Sequence, residues 1–150
     1  MSYKHYRKGV FVVVYVRKPL QYLLLHRKLH WCGWEFPKGG KLAKEKLENT
    51  VKREIKEETG LEIIKIIPFN IGGRFLYDKK TQRERKAKGF SWKLFAAEVK
   101  KGKVKISKRE HDSHKWLPYA KAIKFLTWPN QKKCLRIVHQ AIKKSKIDKI

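Results

Sequence analysis

The order in which apolar and polar positions follow one another along the chain sets out a succession of elements. Gly9 to Val16 (GVFVVVYV) is β-branched and aromatic throughout, which predicts a buried strand. Arg17-Lys18-Pro19 breaks it, and Gln21 to Leu25 (QYLLL) predicts a second strand, the two forming a hairpin. His26 to Gly33 reads as a polar loop, Trp34 to Phe36 as a short extended piece ended by Pro37, and Lys38-Gly39-Gly40-Lys41 as a glycine-containing loop. A helix is expected over Leu47 to Thr59, with Gly60 as its stop. Ile63 to Phe69 and Gly73 to Tyr77 are strand-like, and Asp78 to Lys88 reads as a very basic loop. Ser91 to Val99 resumes a strand, Val104 to Ile106 extends a sheet edge, and Lys115 to Leu117 is a short strand. Pro118 to Leu126 and Asn130 to Lys144 read as helices, with Pro129 opening the second. Strands, one central helix, more strands and a terminal helix predict an α/β or α+β fold with a mixed sheet. With no repeat or linker, residues 1–150 are expected to form a single domain.

Composition supports a folded core and adds a strong charge signal. The chain is 41% hydrophobic, with five Trp, six Tyr and seven Phe, enough for one apolar core. Against 13 Asp and Glu stand 39 Lys and Arg, a formal net charge of +26. Such a field attracts polyanions: nucleic acid, nucleotides or polyphosphates. A Lys- and Ile-rich composition imposed by genome bias or a hot habitat gives the same charge, so charge alone does not establish RNA binding. Two cysteines, Cys32 and Cys134, make no disulfide framework, which suits a reducing cytoplasm. Met1 to Lys8 lacks the apolar core of a signal peptide, and Val10 to Val16 is too short to span a bilayer. A cytoplasmic protein with no membrane partner is expected.

The acidic residues are concentrated. Glu45, Glu48, Glu54, Glu57, Glu58 and Glu62 place six of the 13 acids within 18 positions. At about 100° per residue, Glu54, Glu57 and Glu58 fall within an arc of roughly 100° on the helix, beside the anchoring residues Val51 and Ile55. Three neighbouring carboxylates repel one another unless a cation sits among them, and oxygen-only ligands suit Mg²⁺ or Mn²⁺ better than zinc. A solvated acidic face paired with Lys52, Arg53 and Lys56 is the competing reading of the helix alone.

Gly39, five residues, Glu45, seven residues, then Arg53-Glu54-Ile55-Lys56-Glu57-Glu58-Thr59-Gly60-Leu61 resembles the Nudix box, G-x5-E-x7-R-E-U-x-E-E-x-G-U with U aliphatic. Every specified position matches over 23 residues. Only Leu42-Ala43-Lys44, ahead of Glu45, depart from the acidic and glycine residues often found there. The resemblance implies an α/β/α sandwich with a mixed sheet, in which the box forms a loop-helix-loop. It implies that Glu54, Glu57 and Glu58 bind metal with the Gly39 carbonyl, that Arg53 orients the carboxylates, and that Glu45 supports the helix or a further metal. The metal would neutralise phosphate charge, position a water and stabilise the leaving phosphate.

Outside the box, Trp34-Glu35-Phe36-Pro37-Lys38-Gly39-Gly40 resembles the entry to the box in dinucleoside polyphosphate hydrolases and RNA 5′-pyrophosphohydrolases, which implies that Lys38 contacts phosphate; Phe36 reads as core. Lys108 to Trp116 places Glu110 six residues before a Trp, similar to the loop carrying an extra catalytic Glu in both families. Glu110 is therefore favoured over Glu98 as metal ligand or general base. Trp116 to Trp128 resembles the asymmetric diadenosine tetraphosphate hydrolases, which implies Tyr77 near the nucleotide and Trp128 over a base, although either ring suits a core equally. In the basic segment, Lys79, Lys80, Arg83, Arg85, Lys86 and Lys88 are placed to hold a polyphosphate or an RNA backbone, or form a solvated loop. His26, His30 and Cys32 have loose zinc-like spacing but no fourth ligand nearby; His30 is an alternative phosphate contact. The expectation is a Mg²⁺- or Mn²⁺-dependent hydrolase of dinucleoside polyphosphates. An RNA 5′ end, a diphosphoinositol polyphosphate, or a non-catalytic RNA-binding module are the alternatives.

Overall fold

The computed structural model describes residues 2–29 and 32–148. Seven strands run in chain order as β1 (Tyr6–Val16), β2 (Gln21–Arg27), β3 (Gly33–Glu35), β4 (Lys38–Gly40), β5 (Ile63–Leu76), β6 (Gly89–Val99) and β7 (His111–Leu117). The helices are α1 (Leu47–Thr59), α2 (Lys79–Arg85), α3 (Tyr119–Phe125) and α4 (Pro129–Asp148). The central sheet has the order β3-β2-β1-β6-β5, with β4 paired to β1 and β7 to β2. β1 and β6 are parallel, from Tyr6↔Gly89 to Tyr15↔Glu98, and every other recorded pairing is antiparallel. The sheet is mixed, as expected.

The unbroken apolar run of β1 is explained by burial on both faces. Phe11, Val13 and Tyr15 point into one core cluster, shared with Ala122 of α3 and Leu135, Val138 and Ile142 of α4. Val10, Val12, Val14 and Val16 point into a second, shared with Val51 and Ile55 of α1. Helices therefore cover both faces, giving three layers. Val51 and Ile55 are fully buried, and Phe36 is core. Each such side chain contributes about 1.5–3 kcal/mol relative to exposure. Gly60 ends α1 at φ 69°, where it donates to the Ile55 and Lys56 carbonyls; a side chain in that left-handed conformation would be strained.

The structure departs from the sequence reading in five places. Lys38 to Gly40 is a strand against β1 (Gly39↔Val10), not a loop. Ile63 to Leu76 is one long strand whose pairing is irregular between Pro68 and Gly72, where proline cannot donate to the ladder. The basic loop contains α2, capped by Asp78 Oδ1 accepting from the Thr81 N–H at 2.7 Å. Val104 and Ile106 lie outside the sheet and pack against the α1-side cluster instead. The short strand before Pro118 begins four residues earlier, at His111. Among the described residues no helix is long and apolar enough to cross a membrane.

Candidate active site

Helix α1 carries its carboxylates on a face turned partly toward the sheet. Glu54 and Glu58, one turn apart, are buried, whereas the Glu57 side chain is 58% exposed on the rim. Arg53 ties this face to the preceding loop. Its Nε and Nη2 donate to the two Glu45 oxygens at 3.0 and 2.9 Å, Nη2 also donates to the Gly40 carbonyl at 2.8 Å, and Nη1 donates to Glu54 Oε1 at 2.8 Å. Bidentate pairing fixes the guanidinium plane, and with it the carboxyl it holds. Arg53 also holds the Glu45 carboxyl low, at about 2. A Cβ on Gly39 would collide with the Glu54 carboxyl, so glycine is what lets β4 and α1 approach this closely.

Glu110 arrives from the opposite wall, immediately before β7. Its carbonyl accepts from the Lys28 and Leu29 N–H groups at 2.9 and 3.4 Å, fastening this turn to the end of β2. Donor atoms of Glu58, Glu110 and His111 lie within 4.8 Å of one another. Glu98 is elsewhere: it pairs with Arg17 at 3.4 Å and sits opposite Tyr15, toward the other end of β1 from Gly39.

Beneath these groups lies a buried charge network. Glu35, fully buried, accepts from Arg27 Nη1 at 3.1 Å, meets His111 Nε2 at 3.0 Å, and lies 3.7 Å from Lys38 Nζ. Burial alone would raise the Glu35 carboxyl, but the Lys38 ammonium, the His111 hydrogen bond and the Arg27 guanidinium hold it at about 2. Burial pushes the Lys38 ammonium down to about 8 against the pull of Glu35. Glu54 and Glu58 behave in the opposite sense. Burial raises Glu54 to about 7 despite Arg53, and burial followed by repulsion from Glu54 and Glu110 raises Glu58 well above the usual carboxylate range. Among the described residues, Glu58 Oε2 is buried with no hydrogen-bond partner. Crowded carboxylates, one of them with an unpartnered buried oxygen, fit a hard divalent cation.

Two adjoining cavities open over this network. One, of about 210 Å³, is walled by Arg7, Arg27, Arg53, Arg85, Glu54 and Glu110. The other, of about 500 Å³, is walled largely by Phe11, Phe75, Tyr77, Trp128 and Gln131. Lys38, Phe75, Tyr77 and Thr81 line both. Trp128 is brought here because the turn before α4 is sewn to β3: Trp34 N–H donates to Thr127 Oγ1 at 2.9 Å, and Thr127 N–H to the Trp34 carbonyl at 3.1 Å. The Tyr77 hydroxyl accepts from Arg7 Nη1 at 3.1 Å.

The structure thus gathers Gly39, Glu54, Glu58, Glu110, Arg53, Lys38, Tyr77 and Trp128 around one cleft, with Glu57 at its edge. Lys79 is exposed on α2 and Lys88 lies over the Tyr6 ring at 5.7 Å, and neither lines the cavities. Arg85 is the cationic residue of that segment that does. Arg7, Arg27, Glu35 and His111 were not legible as site residues. Strand pairings between distant segments bring them together, and no spacing marks those. His26 and Cys32 do meet, Sγ to Nε2 at 3.5 Å, and the other imidazole nitrogen contacts Asp112 at 2.8 Å, but among the described residues the cluster able to hold a metal is that of Glu58, Glu110 and His111. His30 lies outside the described residues.

The sequence profile described as NUDIX domain matches residues 5–137. No curated protein matches the chain by sequence. A Caenorhabditis elegans Ap4A hydrolase complex shares the fold at TM-score 0.72 and 23% identity, over 91% of this chain and 98% of that one. The NUDIX domain of Shewanella oneidensis NrtR with ADP ribose gives 0.75 at 18%, over 93% and 90%. A MutT protein from Methanosarcina mazei gives 0.69 at 24%, over 95% and 99%. With the family profile spanning most of its length and the carboxylate cleft that it frames, the chain belongs to the NUDIX family and is a pyrophosphohydrolase acting on phosphoanhydrides.

Proposed function

We propose that the protein hydrolyses a dinucleoside polyphosphate such as diadenosine tetraphosphate, using a divalent cation, Mg²⁺ or Mn²⁺, at Glu54, Glu58 and Glu110. The observation that carries this reading is the pairing of two chambers, one lined by carboxylates and arginines and one aromatic, with Lys38 and Tyr77 at their junction. A bound divalent ion would supply charge neutralisation on phosphate and an acidified water. Glu54, Glu58, Glu110 and the Gly39 carbonyl would hold it, with Glu57 reaching in from the rim. Arg53 fixes the Glu54 carboxyl, so that group keeps one orientation as substrate enters. Glu110, on the opposite wall, is the general base that takes the proton of the attacking water. Lys38, Arg7, Arg27 and Arg85 bind phosphate oxygens, and Tyr77 and Trp128 stack a base. Water then attacks a phosphorus distant from one nucleoside. In support, the solved Ap4A hydrolase shares this fold.

A second reading has its own observation. Lys79, Lys80 and Arg83 lie exposed on α2, beside the cleft that Arg85 enters, where an RNA strand would lie if its 5′-triphosphate occupied the arginine-walled chamber. Incubation with Mg²⁺ and both substrates separates the two. ATP plus AMP from diadenosine tetraphosphate, with the RNA spared, supports the first. Phosphate or pyrophosphate released from 5′-triphosphorylated RNA, with the dinucleotide spared, replaces it with the second.

A further inference from the structure

His111 is fully buried, and its two ring nitrogens have unequal surroundings. Nε2 stands 3.0 Å from Glu35 Oε2, a carboxylate that Arg27 and Lys38 also face. A carboxylate flanked by two cations accepts, so Nε2 carries the hydrogen. In the neutral ring that leaves Nδ1 with a bare lone pair, and Nδ1 is buried without a hydrogen-bond partner among the described residues. Glu58 Oε2 shares that condition. Both residues belong, with Glu110, to a cluster in which one donor atom of each lies within 4.8 Å of the others. Two buried, unpartnered donors on residues of one cluster are costly unless something binds them.

We infer that His111 is a ligand of the catalytic cation, bound through Nδ1 beside Glu58 and Glu110 and oriented by Glu35. Glu35 then does what carboxylates do behind metal-bound histidines: it takes the remote N–H, fixes the tautomer and turns the ring. The same carboxylate faces Lys38 at 3.7 Å, so one buried group sets both a metal ligand and a phosphate contact. A nitrogen donor among carboxylates shifts preference from Mg²⁺ toward borderline transition ions such as Mn²⁺. The inference rests on the reading of Glu58 and Glu110 as a cation site.

The test needs no substitution, which matters because His111 is in the interior. Full-length protein labelled with ¹⁵N only at histidine is titrated with Mn²⁺ and examined by pulsed electron paramagnetic resonance. The expected result is one tightly bound Mn²⁺ with a ¹⁵N coupling, displaced only by Mg²⁺ in at least about tenfold excess. His111→Gln, if it folds, loses the coupling and identifies which histidine gave it; the signal of the labelled wild type decides the question otherwise. Bound Mn²⁺ with no nitrogen coupling overturns the inference while the carboxylate site stands. Failure to bind Mn²⁺ at all overturns both.

Discussion

Four of the carboxylates at the cleft divide into two pairs. Glu35 and Glu45 are matched by the protein's own cations, Arg27 and Lys38 for the first and Arg53 for the second, and both are held at about 2. Glu54 and Glu58 are buried beside each other, with Arg53 paired to Glu54, and both are pushed up. In a chain of +26, surplus cationic side chains were available to neutralise them. The contrast separates carboxylates that build the site from carboxylates that act in it: Glu35 and Glu45 are matched in charge, whereas Glu54 and Glu58, with one arginine between them, keep a demand for a metal ion.

Breaking the second pair gives the largest effect on catalysis. Glu58→Gln is expected to lower kcat by about 10³-fold in a phosphate-release assay, yet leave the metal-free protein as stable as wild type or more so, since it removes an uncompensated buried acid. Breaking the first pair does the reverse. Glu35→Ala removes the nearest anion of both Arg27 and Lys38 and is expected to cost about 3–5 kcal/mol in denaturant unfolding, whatever the metal.

Glu54 sharpens the comparison through pH. Its folded carboxyl titrates at about 7, above its ordinary 4.5, so the fold binds this proton more tightly than the unfolded chain does. The resulting stability is fully present below about 4.5 and is lost as pH rises through about 7. The metal-free wild type should therefore lose about 5 °C more in Tm across that window than Glu54→Gln does, and saturating Mg²⁺ should remove the difference. In the aromatic chamber the effects are smaller. Trp128→Ala is expected to raise KM for a dinucleotide about tenfold with kcat little changed. Lys79→Ala, outside both cavities, should change kcat/KM less than about twofold at moderate salt, well below the effect of Arg85→Ala.

The sequence showed most clearly what is local. The run Val10 to Val16 and the helix Leu47–Thr59, with its Gly60 stop, were readable because burial pattern and capping chemistry act over a few residues. The box spacing placed Glu54, Glu58 and Gly39 together for the same reason: a helix and one short strand position them. Helix α2 was missed because KKTQRER has no apolar periodicity to announce it; the Asp78 cap, the burial of Thr81 and Gln82 Nε2 donating to the Tyr77 and Lys88 carbonyls hold it. Strand β4 was missed because glycines carry no side-chain pattern, and their pairing with β1 is visible only in three dimensions. The Arg27–Glu35–His111 network was hidden for a related reason. Its members sit on β2, β3 and β7, strands that meet across long sequence separations.

The most direct test of the distinction between the two pairs is thermal unfolding at pH 7.5 with and without Mn²⁺, for wild type and Glu58→Gln. The account predicts a rise in Tm for wild type on adding the ion, as any ligand specific to the folded state produces, and little or none for the variant. A wild type indifferent to the ion, or a variant stabilised as much as wild type, would contradict the claim that these buried carboxylates hold the catalytic cation.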